Sequence, residues 1–198
     1  MRRSLALAVA GVTLLALPAH AGSSGARLTD PAGDMPVPSL DIVTGAITLD
    51  AHRTLTMTAT MTGDLTGLPA DYDLVTGTQV GSTCYSLATR VRWNGVSLQQ
   101  SYQHTSTFAC NGQVTPAFLT SFAQEVAAYT VGGDPVDAKA GGRTVSVTLP
   151  APTWLRPGSL AGFGVVAHTP AEGVMTYVGT QQVSNYDLAG IDRAWRVG

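Results

Sequence analysis

The chain has 198 residues, of which 44% are hydrophobic and only 12% charged, with 22 Gly, 11 Pro, two Cys and a formal net charge of -2. So little charge excludes an intrinsically disordered chain, a coiled coil and a basic nucleic-acid binder, each of which needs more charge or a helical repeat. The length is that of one domain.

Met1-Arg2-Arg3 leads into an apolar run from Leu5 to Leu17 and then Pro18-Ala19-His20-Ala21, the pattern of a secretory signal ending in an A-x-A site. Residues 1-21 are therefore read as a signal peptide and 22-198 as a single secreted domain. No later stretch is apolar enough to span a bilayer as a helix, so no membrane insertion is expected after cleavage.

Next comes Thr29-Asp30-Pro31-Ala32-Gly33-Asp34, followed by Leu40-Asp41-Ile42. Three carboxylates in twelve residues, folded around a Pro-Gly turn, repel one another unless a cation lies between them. Calcium takes six to eight hard oxygens at flexible geometry, and such a turn presents carboxylates and freed carbonyls to one point. Asp30, Asp34 and Asp41 are the candidate metal ligands and calcium the candidate ion. The other reading is that all three are solvated turn and capping residues.

β-branched Thr and Val are abundant and fit a pleated surface better than a helix. In Thr54 to Thr62 every even position is Thr and every odd one apolar, the mark of a strand with one buried and one wet face. Ile47 and Leu49 share a face of the strand before it, and Asp50-Ala51-His52-Arg53 makes the turn between them. Tyr85-Leu87-Thr89-Val91-Trp93 alternates against Ser86-Ala88-Arg90-Arg92, Asn94-Gly95 suits a two-residue type I′ turn, and Val96 to Tyr102 returns.

Cys84 and Cys110, in an exported chain with no other cysteine, are expected to form a disulfide. A regular ladder from the Asn94-Gly95 turn would set Cys84 opposite Thr105, so either a bulge intervenes or the bridge ties loops beyond the hairpin. Residues 117-131 fit a helix or a strand equally. Later strands are read at Thr144 to Leu149, Ala161 to His168, Val174 to Thr180 and near Trp195. About nine strands with turn signals between them predict an all-β, antiparallel, jelly-roll-like sandwich.

The run D-P-A-G-D, then L-D-I leading into a strand, then a second strand rich in Thr and Leu, resembles the opening of DOMON-like and family 9 carbohydrate-binding modules of secreted bacterial proteins. The resemblance covers about the first third of the chain after the signal, with the strand at Thr144 to Leu149 in keeping. It implies a β-sandwich, a structural calcium on Asp30, Asp34 and Asp41, and a carbohydrate ligand. The aromatic positions that stack on sugar in such modules have no match here.

Among the aromatics, Trp154 is the candidate ligand contact, because a loop bracketed by Pro152 and Pro157 seldom supplies core. No G-x-S-x-G, H-E-x-x-H or P-loop motif occurs, and His52, His104 and His168 have no partner at catalytic spacing. Glu125 and Glu172 could pair with an aspartate only through the fold. Lys139 is the sole lysine, which leaves no basic patch for nucleic acid. The expectation is a secreted, non-catalytic binding module for carbohydrate or a cell-envelope component. The alternatives are a secreted hydrolase whose site assembles only in space and an envelope-associated interaction protein.

Overall fold

The structure is a computed structural model, and it describes residues 23-110, 133-170, 175-178, 181-184, 186-191 and 193-198, with side chains left aside between 175 and 186. The signal segment 1-21, the undecided stretch 117-131, Glu125 and Glu172 lie outside the described residues.

Two antiparallel sheets pack as a sandwich. The smaller has the order β1-β2-β3-β9-β8 and is built from β1 (Ser24–Thr29), β2 (Ile42–Leu49), β3 (Thr54–Met61), β8 (Asp137–Gly141) and β9 (Thr144–Pro150). The larger has the order β13-β10-β4-β5-β6-β7, with β14 also pairing β10. Its strands are β4 (Pro69–Val80), β5 (Thr83–Asn94), β6 (Leu98–Ala109), β7 (Asp134–Pro135), β10 (Leu160–His168), β13 (Tyr186–Gly190) and β14 (Trp195–Arg196). The stretch read as one strand from Val174 is a separate hairpin, β11 (Met175–Val178) with β12 (Gln181–Ser184). No helix among the described residues is long and apolar enough to cross a membrane.

The smaller sheet follows its sequence pattern closely. Leu55, Met57, Ala59 and Met61 of β3 are buried, while Thr54, Thr56, Thr58 and Thr60 stay partly exposed on the outer face. The β2–β3 turn forms where expected: Asp50 Oδ1 accepts the N–H groups of His52 at 2.9 Å and Thr54 at 2.7 Å, and Arg53 takes a φ of 65° to complete it. Ile42, Ile47, Leu55, Met57, Val145 and Val147 then meet Leu74, Leu87, Val91 and Phe163 of the larger sheet in one core.

The larger sheet is buried on both faces along β4 and β5, which removes the alternation that would have marked β4 in sequence. Its outer face carries charge. Asp71 pairs across the ladder with Arg92 and Asp73 with Arg90, so the D-x-D of β4 lies opposite the R-x-R of β5.

The turn at Asn94 departs from the expected type I′ geometry. Only Gly95 has a positive φ, at 92°, and the return strand starts at Leu98 rather than Val96. The reason is local: Asn94 N–H donates to Ser97 O at 3.2 Å and Asn94 Oδ1 accepts the N–H groups of Val96 at 2.9 Å and Ser97 at 2.8 Å, which puts Gly95-Val96 at the tip and leaves Val96 80% exposed. A shift in register at Arg92 and Trp93 follows, after which Cys84 sits opposite Phe108. Cys110 lies two residues beyond, where its N–H reaches Ser82 O at 2.8 Å and its sulfur is bonded to Cys84. The bulge is therefore present, and the bridge runs from Cys84 within β5 to Cys110 just past the end of β6.

Candidate metal centre

The connection between β1 and β2 folds back on itself because its polar groups are met within it. Asp30 N–H donates to Val43 O at 2.9 Å, and Leu40 and Asp41 N–H both donate to Val37 O, at 2.9 and 3.1 Å. Gly33 has a φ of 89°, a conformation that disfavours any residue with a Cβ, and its N–H donates to Asp41 Oδ2 at 2.7 Å. Thr62 Oγ1 donates to the same oxygen at 2.5 Å. Asp41 thus orders the loop from beneath, only 1% exposed.

The loop brings Asp30 and Asp34 together, as the sequence suggested, and the third member of the group is Asp187. One carboxylate oxygen from each of Asp30, Asp34 and Asp187 lies within 4.8 Å of the others. Asp187 belongs to β13 of the larger sheet and is 6% exposed. Its Oδ2 accepts Ile42 N–H at 2.6 Å and its Oδ1 accepts Leu188 N–H at 2.8 Å, so both oxygens are oriented by backbone donors. Asp41 stands next to this trio, its carboxylate lying against that of Asp34. Asp41 Oδ1 and Asp30 Oδ2 are both buried and meet no N–H or hydroxyl donor at hydrogen-bonding geometry. Among the described residues no Arg, Lys or His forms an ion pair with any of the four.

The proton affinities record the crowding. Burial, with the charges of Asp187, Asp34 and Asp41, pushes the Asp30 carboxyl up to about 6. Burial also raises Asp187, against the two N–H groups that stabilise its charge. Burial acts on Asp41 in the same sense, but its hydrogen bonds with Thr62, the Gly33 N–H and the Asp34 carboxyl prevail and hold it below the ordinary carboxylate range. The result is a concentrated negative site, part fixed and part reluctant to ionise. A cluster of three aspartates that could hold a metal ion is in place, with a fourth beside it.

The remaining expected sites are placed as follows. Trp154 packs partly buried against the edge of the core and stacks on Tyr85, with centroids 5.9 Å apart and planes at 20°, so the Pro-bracketed loop does contribute to packing. Trp93 and Trp195 are core. His52 and His104 are not in the core: the first lies in the β2–β3 turn and the second is exposed on β6.

His168 is buried in a charged network that sequence reading did not assemble. Arg90 grips Asp73 through Nε and Nη2, both at 2.7 Å, and His168 Nε2 lies 3.2 Å from Asp73 Oδ2. His168 Nδ1 faces Thr169 O at 3.1 Å, so both ring nitrogens are engaged and neither is open to a substrate. Burial disfavours its charge, yet the hydrogen bond and charge of Asp73 and the contact with Thr169 O prevail and raise its pKa. The signal available in sequence was the matched D-x-D and R-x-R spacing; nothing local pointed to His168 or to Asp187.

Compared with known proteins, the chain matches no protein-family model, no curated protein and no solved structure. What stands is an all-β protein of two antiparallel sheets packed as a sandwich, with a disulfide and, among the described residues, an acidic cluster that could hold a metal ion.

Proposed function

We propose that this chain is a secreted, non-catalytic binding module of the DOMON-like or family 9 carbohydrate-binding kind, stabilised by calcium at Asp30, Asp34 and Asp187. The observation that carries the reading is the convergence of those three carboxylates beside the buried, donorless Asp41 Oδ1. Two oxygens on one calcium lie at most about 5 Å apart, from metal-oxygen distances of roughly 2.3–2.6 Å, and the 4.8 Å limit on the cluster suits that span. All the donors are hard carboxylate oxygens, with no imidazole or thiolate among them, which favours calcium over zinc or copper. The ion would neutralise charge that the fold otherwise holds together at a cost.

The surface for a ligand is less defined. Tyr85 and Trp154 are both half-buried and form a stacked apolar ledge, the kind of surface on which the C–H face of a sugar ring packs. A carbohydrate or cell-envelope glycan is accordingly the proposed partner. Isothermal titration of metal-stripped protein with calcium, followed by intrinsic fluorescence with soluble polysaccharides, tests the two parts separately. Calcium binding with no response to any glycan would retain the ion and discard the sugar.

A further inference from the structure

Resting on the cation reading above, we infer that an ion at this site is a clamp between the two sheets, and that Asp187 is the residue through which it holds the C-terminal strand β13. Asp30 and Asp34 belong to the connection that leaves the edge strand of the smaller sheet, and Asp187 to the edge strand of the larger one. Asp187 is separated from Asp34 by most of the chain, yet the two carboxylates share one point.

Two observations beyond the acidic cluster point to a ligand there. Asp41 is 99% buried, its exposure being 1%, and its Oδ1 meets no N–H or hydroxyl donor at hydrogen-bonding geometry, whereas Oδ2 accepts from Gly33 and Thr62. A carboxylate held this firmly, with one oxygen satisfied and the other turned to its acidic neighbours, is the arrangement expected of a cation ligand. Asp187 is also positioned before any ion arrives, because Ile42 N–H and Leu188 N–H fix its plane. An ion closing on it therefore pulls on the strand and does not merely reorient a side chain.

The mechanical consequence follows from the pairing of β13. Its backbone ladder runs to β10 alone, from Gly164↔Gly190 to His168↔Tyr186. Across the sandwich, Asp187 Oδ2 accepts Ile42 N–H of the smaller sheet. A bound cation shared with Asp30 and Asp34 raises the cost of opening this edge strand.

Hydrogen exchange of the disulfide-bonded protein, with calcium and with chelator, reads this directly, alongside calcium titrations of the parent and of Asp187→Asn and Asp34→Asn. Asp187→Asn keeps an oxygen for Ile42 N–H but gives up the acceptor of Leu188 N–H, so its circular dichroism and urea midpoint are measured first to establish that it folds. Calcium should slow exchange at Asp187 to Gly190 in the parent by tenfold or more, weaken in affinity by tenfold or more in either variant, and give no calcium-dependent slowing of β13 in Asp187→Asn. Unchanged affinity in Asp187→Asn, or β13 exchange indifferent to calcium in a parent that binds it, overturns the clamp and leaves the ion site standing. A parent that binds no calcium overturns the cation reading, and the clamp with it.

Discussion

Asp187, on the edge strand of the larger sheet, accepts the backbone N–H of Ile42, the first residue of β2 in the smaller sheet, at 2.6 Å. The residue just before Ile42 is Asp41, whose carboxylate ties down Gly33 and Thr62. One short segment therefore connects the inter-sheet contact to the acidic loop, and perturbing either end should be felt at the other.

Calcium should stabilise the protein measurably. At ten times its dissociation constant an ion adds about 1.4 kcal/mol, which corresponds to roughly 3–6 °C in Tm for a domain of this size. Thermal melts in millimolar calcium against chelator should separate for the parent and coincide for Asp34→Ala. Coincident melts for metal-stripped parent protein would return the aspartates to ordinary turn chemistry.

Stability without metal should rise as the pH falls from 7.5 towards 5. Asp30 has a folded pKa of about 6, above its ordinary value of 3.8, so its contribution is complete below 3.8 and is lost as the pH rises through about 6. His168, also raised from 6.5, acts in the same sense: its stabilisation is complete below 6.5 and is lost as the pH rises past its folded value. In chelator, Asp30→Asn should flatten the lower part of the profile and leave the His168 part intact. A chelated parent whose Tm falls steadily from pH 7.5 to 5 contradicts this.

Asp73→Ala should be among the most damaging single changes in the described core. It strips both bidentate contacts from Arg90 and the partner of His168, inside a sheet face where Asp73 is fully buried. Removing one side of a buried charge network costs about 3–5 kcal/mol, which equilibrium urea unfolding would report as a lower midpoint at constant slope. A loss under 1 kcal/mol would mean that the network contributes little.

Cys84 and Cys110 close a loop with a separation of 26 residues, and in the chain-entropy picture their bond contributes about 3.5 kcal/mol. The double Cys→Ser variant should lose an amount of that order in urea. Mass spectrometry of alkylated, non-reduced protein should find no labelled thiol, and two labels would remove the disulfide from the account.

Much of the architecture was legible because the signals were local. The Thr-apolar alternation of β3, the Asp50 turn and the two cysteines each express a property of neighbouring residues, and each is found in place. β4 was not legible, because a strand buried on both faces by packing on one side and ion pairing on the other shows no period of two. Asn94-Gly95 misled by one residue: the turn closes from Asn94 N–H to Ser97 O around Gly95-Val96, because the Asn94 side chain takes the N–H groups of Val96 and Ser97.

The acidic site divides along the same line. Sequence alone placed three aspartates around a Pro-Gly turn, since their clustering is a fact of spacing and their mutual repulsion a fact of charge. Only the tertiary structure assigned their parts: Asp30 and Asp34 face a common point, Asp41 braces the loop beside it, and Asp187 arrives from the other sheet. No pattern in the chain could announce Asp187, because what brings it there is the stacking of two sheets, a relation set by buried apolar surface and not by separation along the chain.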